Sequence, residues 1–430
     1  MTFRRSDRVL VVGAGRAGLS AVEELRRRGH TGDITVLHDE TNAPYDRPGC
    51  AKGMLTGDSR PQDLRLPIAD GLEVDWRFGR RAVHLDLAAQ TVITNTDEAF
   101  EYDGLVIASG ARAVVPKGIP VGEPGVHLIY GLDDAYRLRQ DLRRANKVVV
   151  IGAGLTGCEV SYAVRSQARD CILIDSQAYP LMRPLGEHAA RLIRPEMDRH
   201  GLEVRSKTRV AEVFKTKKGW GLILDNGEEI HTDVIVASTG ERPDNDWLKD
   251  TPELDTSDGV LCDASLRVVG AKNVVAAGTI ARWPNLQYSD KPGRVGQWIA
   301  ALEQGRGAAR TLLAGNTTVG PVTHLPRFWS DQYGLRIQVC GTLPPEADVA
   351  VTEMRKGRRD VARAGVLLAY QLDNRLIGLV GVNAPQAFTT MARAMIATRG
   401  AMVAPVATGA AVTTVEEITG SSRRYLAAVG

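Results

Sequence analysis

The chain has little of what marks a protein as secreted, membrane-bound or disulfide-stapled. Its 430 residues include only five cysteines, an odd number without a C-x-x-C pair, which argues against a disulfide framework and favours a reduced, cytoplasmic setting. No metal site is predicted. No stretch approaches the roughly 18 uninterrupted apolar residues of a membrane-spanning helix. The N-terminus lacks the apolar core and cleavage site of a signal peptide, so none is expected.

The excess of one sign of charge over the other is also small. The formal net charge is +3, which is too small for a nucleic-acid-binding face but suits transient docking to an acidic protein. The basic run RKGRRD at residues 355–360 is either part of such a surface or a solvated loop. Hydrophobic residues make up 43% of the chain, and its length predicts about three domains.

The strongest internal pattern is a repeat of strand, glycine-rich turn and amphipathic helix. It begins as RVLVVGAGRAGLS at residue 8 and returns as KVVVIGAGLTGCE at residue 147. Both copies contain G-x-G-x-x-G, which places a dinucleotide pyrophosphate at a helix N-terminus. The fingerprint glycines are Gly13, Gly15 and Gly18 in the first copy and Gly152, Gly154 and Gly157 in the second. The sequence therefore predicts two dinucleotide sites.

An acidic residue near the end of the next strand binds the adenosine ribose in such sites. In the second copy this is Asp175, 23 residues after Gly152, and no arginine follows it closely, which predicts NADH rather than NADPH. In the first copy His38 holds that position, and Glu40 is the favoured ribose ligand. A nicotinamide at one site implies an electron path to a second cofactor, most simply a flavin.

The predicted fold class is α/β, with two Rossmann-like dinucleotide-binding domains and a C-terminal α+β domain. The similar segments YDGLVIASGARAVVP and HTDVIVASTGERPDN leave the two dinucleotide domains, which indicates that the second is inserted in the first. Alternating residues in FWSDQYGLRIQVCG and LLAYQLDNRLIGLVGVN predict antiparallel strands, with a turn at Asp373-Asn374, before a helix at 385–400. The predicted domains are residues 1–113 and 242–320 for the flavin, 114–241 for NAD, and 321–430 at the C-terminus.

Several longer motifs give the chain a resemblance to a known family over residues 8–395. Besides the two fingerprints they are APYDRPGCAKGML, LVIASGA, VIVASTGERPDN, VVAAGTIARWPN, QWIAALEQG and PRFWSDQYGLRIQVCG. With them the chain resembles the FAD-dependent, NADH-oxidising ferredoxin reductases that serve bacterial cytochrome P450s and Rieske oxygenases. The resemblance implies hydride transfer from NADH to FAD, and then single electrons to an acidic [2Fe-2S] ferredoxin.

The resemblance also implies roles for individual residues. Arg47 contacts the FAD pyrophosphate, and Lys52 lies by the flavin ring, paired with Glu159 near the nicotinamide. Trp298 and Trp329 lie near the flavin or the ferredoxin-facing surface. Further cofactor contacts are expected at Ala108, Gly110, Gly240, Gly278 and Thr279. Without the resemblance, Lys52 and Glu159 are better explained as an ordinary surface pair, and both tryptophans as core residues.

The chain departs from the family pattern at four expected flavin contacts. The family usually has an aspartate at 279 that holds a ribityl hydroxyl, and Thr279 makes at most a weaker, neutral bond. It often has Glu-His where Gly296-Gln297 precede Trp298. The other departures are Pro48-Gly49 and Ala108-Ser109-Gly110. Either FAD binds more weakly, or the site is remodelled for other chemistry.

Three functions therefore compete. The first is an NADH:ferredoxin reductase. The second is a remodelled flavoenzyme of a biosynthetic pathway that acts directly on a small molecule through Cys50 or the altered flavin face. Lys52 would make Cys50 reactive, although such a cysteine is more often a small apolar filler. The third is a homologue that binds nucleotide without turnover. The β-rich C-terminal part leaves a homodimer open.

Overall fold

A computed structural model describes residues 3–353, 365–373 and 375–397. The chain forms two compact units, each assembled from three segments. The first unit comprises Met1–Arg47, Pro61–Arg112 and Glu241–Pro326, and the second comprises Pro48–Arg60, Ala113–Gly240 and Arg327–Gly430. The basic run at 355–360, Asn374 of the expected turn, and the last three residues of the helix expected at 385–400 lie outside the described residues.

A five-stranded parallel sheet forms the centre of the first unit. Its order is β19-β7-β1-β2-β3. The strands are β1 (Val9–Val12), β2 (Ile34–His38), β3 (Asp75–Phe78), β7 (Gly104–Ile107) and β19 (Val274–Ala276). β1, β7 and β19 are buried along their whole length, as continuous apolar strands covered on both faces must be.

Helices α1 (Arg16–Arg27) and α6 (Trp298–Leu313) pack against each other in the same unit. A Cβ atom at Gly305 would lie 2.2 Å from the carbonyl oxygen of Ala17, so small residues allow the close approach. The other elements are β4 (Ala82–Asp86), β5 (Thr91–Thr94), β6 (Ala99–Glu101), β18 (Val260–Leu261), β20 (Ala281–Pro284), β21 (Pro292–Arg294) and the short 3-10 helices Pro61–Leu64 and Asp246–Leu248. Strands β8 (Ala111–Ala113) and β17 (Glu241–Pro243), with a third 3-10 helix (Arg47–Ala51), lie where the chain passes from one unit to the other.

The second unit contains another five-stranded parallel sheet, in the order β12-β11-β10-β16-β9. Its strands are β9 (Val126–Leu128), β10 (Lys147–Ile151), β11 (Asp170–Ile174), β12 (Glu203–Arg205) and β16 (Val234–Ala237). The helices are α2 (Gly53–Thr56), α3 (Leu132–Leu142), α4 (Leu155–Ser166) and α5 (Met182–Arg199). A small antiparallel sheet of β13 (Val210–Thr216), β14 (Gly219–Leu224) and β15 (Glu229–Thr232) packs its apolar residues into the same core.

An antiparallel sheet and a helix complete the second unit. The sheet order is β22-β23-β26-β25-β24. The elements are β22 (Arg327–Gln332), β23 (Leu335–Gly341), β24 (Asp348–Glu353), β25 (Val366–Leu372), β26 (Arg375–Val382) and α7 (Pro385–Ala397). The predicted C-terminal strands and the described part of the predicted helix are therefore confirmed.

Within residues 3–353, 365–373 and 375–397, no helix is both long enough and apolar enough to cross a membrane.

Candidate functional site

The first glycine-rich turn joins β1 to α1 and leaves one face open. A Cβ atom at Gly13 would lie 2.2 Å from the carbonyl oxygen of Ala108, and one at Gly18 would lie 1.8 Å from that of Gly13. A Cβ atom at Gly15 would meet no heavy atom within 4 Å. The outer glycines thus allow the backbone to pack, whereas the middle glycine faces a space that a phosphate can enter.

The second turn, between β10 and α4, has the same construction. A Cβ atom at Gly152 would lie 2.2 Å from the carbonyl oxygen of Ser238, and one at Gly157 would lie 1.9 Å from that of Gly152. Gly154 again faces open space. Neither helix has a side-chain cap at its N-terminal glycine or an acidic residue in its first turn. Both N-termini therefore present backbone N–H groups and a positive dipole end suited to a pyrophosphate.

The residues at the end of the strand that follows each glycine-rich turn differ between the units. Asp175 accepts hydrogen bonds from the backbone N–H groups of Ala153, at 2.5 Å, and Gln177, at 2.6 Å. In the first unit the Nδ1 atom of His38 accepts from the N–H of Ala14 at 3.4 Å, and burial lowers the pKa of His38, which favours the neutral ring. His38 therefore takes the structural position that Asp175 holds in the second unit.

Glu40 and Arg47 lie together in the first unit. The guanidinium of Arg47 is 2.6 Å from Oε1 of Glu40, and the hydroxyl of Tyr45 donates to Oε2 at 2.7 Å. The same guanidinium lies 5.2 Å from the centre of the Tyr45 ring. The two residues expected at the FAD pyrophosphate and ribose are thus neighbours, with Tyr45 fixing both.

Strand β19 ends at Ala276, two residues before Gly278. Gly278 has a φ of +83°, which favours glycine, and its N–H donates to Oε1 of the buried Gln304 at 2.7 Å. A Cβ atom there would lie 3.0 Å from that of Ala17. The carbonyl oxygen of Thr279 accepts from Arg294 at 3.4 Å. The turn is therefore held in a shape that a residue with a side chain would strain.

The N-terminus of α6 contains buried polar atoms that lack protein partners. Trp298 lies against Arg16, whose guanidinium carbon is 5.2 Å from the centre of the ring. Nε1 of Trp298, Oε1 of Gln297 and Nε of Arg16 are buried without a hydrogen-bond partner among the described residues. Buried polar atoms are normally paired, so these orphans fit a polar group bound beside α1 and α6.

The remaining expected cofactor contacts are on backbone turns. Gly110 accepts from the N–H of Asp244 at 3.0 Å in the first unit, and Gly240 accepts from that of Val114 at 2.9 Å in the second. A Cβ atom at either glycine would meet nothing within 4 Å. Ser109, which departs from the family pattern, donates its hydroxyl to the carbonyl oxygen of Asp244 at 2.8 Å. Its hydroxyl thus stabilises the turn next to Ala108.

Lys52, Glu159 and Trp329 form a cluster in the second unit. Nζ of Lys52 is 3.3 Å from Oε1 of Glu159 and donates to the carbonyl oxygen of Trp329 at 3.3 Å. It also lies 5.8 Å from the centre of the Trp329 ring. The hydroxyl of Ser330 donates to Oε1 of Glu159 at 2.5 Å. Three of the four expected catalytic residues therefore meet here, while Trp298 belongs to the first unit.

Burial controls the charge of Glu159. Its side chain is only 9% exposed, and this burial raises its pKa, although Lys52 and the Ser330 hydroxyl act in the opposite direction. The pair borders a cavity of about 510 Å³ that is also lined by Tyr162, Asp331 and Arg336. Glu159 is thus a buried carboxylate beside an accessible space, which a surface ion pair is not.

The burial of Cys50 and the exposure of Trp329 bear on two of the alternatives that the sequence left open. Cys50 is 1% exposed, which favours the role of a small apolar filler. Trp329, by contrast, is 44% exposed and is not a core residue.

The sequence analysis missed four residues of these sites: Arg16, Glu241, Ser330 and Gln304. All four lie inside motifs quoted from the sequence, but each acquires its neighbours from a distant segment, which a local pattern does not show.

The chain matches two domain families. Residues 7–305 match the pyridine nucleotide-disulphide oxidoreductase family and residues 327–415 match the reductase C-terminal family. The chain is 31% identical to rhodocoxin reductase of Rhodococcus erythropolis over 88% of this chain and 87% of that relative. It is 29% identical to the ferredoxin–NAD(+) reductase component of the biphenyl dioxygenase system of Paraburkholderia xenovorans strain LB400, over 91% of this chain and 94% of that one. The crystal structure of the ferredoxin reductase for the CYP199A2 system from Rhodopseudomonas palustris has the same fold, with a TM-score of 0.85 and 24% identity over 92% and 96% of the two chains.

Proposed function

The chain belongs to the pyridine nucleotide-disulphide oxidoreductase family, and we propose that it takes hydride from NADH onto a bound FAD and passes single electrons to a [2Fe-2S] ferredoxin. The family resemblance, the α/β fold class and the oxidoreductase class expected from the sequence are confirmed by the two matching domain families and the relatives. Whether FAD and NADH are the cofactors, and which residues hold them, are proposals.

The observation that carries the proposal is the pair of glycine turns. Each turn has a middle glycine that faces open space at the N-terminus of a helix without a side-chain cap. Two such turns in one chain can bind two dinucleotides, one of which can reduce the other. A bound FAD can accept two electrons as a hydride and release them one at a time, and it would thereby link the two-electron donor NADH to a one-electron acceptor.

The first unit supplies the residues proposed for FAD. Gly13, Gly15 and Gly18 would accommodate the pyrophosphate with Arg47, and Glu40 would bind the adenosine ribose. Ala108, Gly110, Gly278, Thr279 and Trp298 would complete the contacts to the flavin half. The orphaned polar atoms of Arg16, Gln297 and Trp298 support a polar ligand in this unit.

The second unit supplies the residues proposed for NADH. Gly152, Gly154 and Gly157 would hold the pyrophosphate, Asp175 the ribose, and Gly240 the turn beside them. Lys52 and Glu159 would orient the nicotinamide, because the pair lies beside an accessible cavity. No residue needs to act as a nucleophile, since hydride transfer depends mainly on alignment.

The partner is inferred from the relatives and from Trp329. The 29% identical relative is the ferredoxin–NAD(+) reductase component of a biphenyl dioxygenase system, so that protein pairs a ferredoxin with NAD. The exposed Trp329 offers an aromatic side chain for transient docking, and the net charge of +3 suits an acidic ferredoxin. A cytochrome P450 or a Rieske oxygenase would consume the electrons.

The remaining expectations stay proposals. They are an FAD domain of residues 1–113 and 242–320, an NAD domain of 114–241, a C-terminal domain of 321–430, a cytoplasmic setting and a homodimer. The five cysteines are all buried, and their odd number without a C-x-x-C pair supports a reducing compartment. The burial of Cys50 does not favour a direct reaction of that thiol with a small molecule.

A reconstituted electron-transfer assay tests the proposal. The purified protein is mixed with FAD, NADH, a [2Fe-2S] ferredoxin of an oxygenase system and cytochrome c. We expect cytochrome c to be reduced rapidly only when both NADH and the ferredoxin are present. Equal reduction without ferredoxin, or NADH oxidation without any ferredoxin reduction, would contradict a ferredoxin reductase.

A further inference from the structure

Glu241 and Thr279 flank the same glycine. A Cβ atom at Gly296 would lie 2.6 Å from Oε1 of Glu241 and 3.6 Å from Cγ2 of Thr279. A side chain at position 296 would therefore displace the carboxylate. Because Gly296 has no side chain, the carboxylate of Glu241 can lie beside Thr279, the position at which the family usually has an aspartate.

Glu241 is accessible to solvent and lies close to two arginines. The surrounding protein nevertheless desolvates the carboxylate and raises its pKa, while Arg294 and Arg47 favour the charged form. No hydrogen bond or ion pair joins this carboxylate directly to another described residue. Arg294 itself is held by Asp258 at 2.8 Å and by the carbonyl oxygen of Thr279 at 3.4 Å. Glu241 thus retains accepting oxygens for a ligand.

We propose that Glu241 accepts the hydrogen bond from a ribityl hydroxyl of FAD that an aspartate at position 279 would otherwise accept. The inference rests on the proposed binding of FAD to the first unit. A carboxylate accepts from a hydroxyl more strongly than the neutral side chain of Thr279 does. Two of the departures from the family pattern, Thr279 and Gly296, then compensate each other through Glu241.

Cofactor binding to the apoprotein tests this assignment without any measurement of turnover. We expect Glu241→Gln to raise the Kd for FAD about tenfold or more, measured by flavin fluorescence, because it removes one charge-assisted bond. The Kd for ADP, which contains only the adenosine half and the phosphates, should not change. The matched control is Glu253→Gln, which removes the same charge at an exposed position of the same unit.

A second substitution separates a direct contact from a structural effect. Thr279→Asp should restore most of the lost FAD affinity in the Glu241→Gln background. In the wild-type background it should not improve binding, because two carboxylates would then lie against Gly296. Non-additivity of this kind is expected when the two side chains serve the same ligand group.

Three results would overturn the proposal. Unchanged or tighter FAD binding by Glu241→Gln means that the carboxylate either contributes nothing to FAD affinity or repels the phosphates of FAD. An equal loss of ADP affinity means that Glu241 supports only the fold. A wild-type protein that binds no FAD refutes the proposed function together with this inference, whereas the first two results refute the inference alone.

Discussion

At the scale of single residues, side chains that are distant in the sequence determine the chemistry. The resemblance predicts that Lys52 and Glu159 pair, and the structure brings them to 3.3 Å. The hydroxyl of Ser330 on Glu159 and the carboxylate of Glu241 beside Gly296 could not be predicted, because each contact joins segments with no common local pattern. The spacing of residues along one strand or helix does not predict such partners.

Glu159 should make the stability of the protein depend on pH. Its folded pKa lies above the ordinary value, so the folded protein binds a proton that the unfolded chain releases. Wild-type stability therefore falls as the pH rises from the ordinary to the raised pKa. We expect Glu159→Gln to be more stable than the wild type at about pH 8 and to show no advantage at about pH 4, by urea denaturation.

The exposed Glu187 provides the matched control for this measurement. Glu187→Gln, in the same unit, should change stability little at either pH. If Glu159→Gln is less stable than the wild type at about pH 8, the attraction of Lys52 and Ser330 outweighs burial, and the account of this carboxylate is wrong.

Arg47 is expected to contribute directly to FAD affinity. Arg47→Ala removes a cation proposed for the pyrophosphate and leaves the Glu40 carboxylate, now without its 2.6 Å partner, near an anionic ligand. The Kd for FAD should rise about tenfold or more, because a charge-assisted bond contributes roughly 1.5–3 kcal/mol. Arg4→Ala, an exposed change in the same unit, should leave the Kd unchanged. Equal affinities for wild type and Arg47→Ala would remove Arg47 from the site.

At the scale of secondary-structure elements, local patterns predicted most of the architecture. Apolar runs before G-x-G-x-x-G predicted the strands that enter each turn, and alternation predicted the antiparallel strands at the C-terminus. Strand order did not follow from these patterns, since β26 lies between β23 and β25 through non-local pairing. The partners of the glycine turns, Ala108 and Ser238, likewise directly follow strands far along the chain.

The glycines of the second turn should separate folding from binding. Gly157→Ala would place a Cβ atom 1.9 Å from a backbone oxygen and should lower the free energy of unfolding by at least about 2 kcal/mol. Gly154→Ala meets no atom and has an ordinary extended backbone, so stability should be retained while NADH affinity falls. Urea denaturation and NADH titration of both variants check this. Wild-type NADH affinity in a folded Gly154→Ala protein would show that the pyrophosphate does not approach this turn.

At the scale of the whole molecule, two fingerprints in one chain predicted an electron path but not how the chain is partitioned. The compact units group residues 48–60, the second parallel sheet and the described C-terminal strands together. That grouping depends on contacts between segments hundreds of residues apart. Local sequence patterns predict the helices and strands, whereas the grouping of chain segments into compact units depends on how those elements pack.

The preference between nicotinamide cofactors is a property of the complete reaction. Asp175 accepts two backbone hydrogen bonds, and its charge should repel a 2′-phosphate. The wild type should therefore be reduced faster by NADH than by NADPH. Asp175→Asn should lower the NADH to NADPH ratio of kcat/KM about tenfold. The control is Asp170→Asn, an exposed change at the start of the strand that ends directly before Asp175. An unchanged ratio would assign the preference to other residues.

The central claim is that one chain carries a flavin site and a nicotinamide site that exchange electrons. An anaerobic titration of the FAD-loaded protein with NADH, following the visible absorption of the flavin, tests it most directly. The account predicts that the band bleaches at about one NADH per flavin, the stoichiometry of a single hydride transfer. A flavin that stays bound and oxidised in excess NADH would contradict the claim.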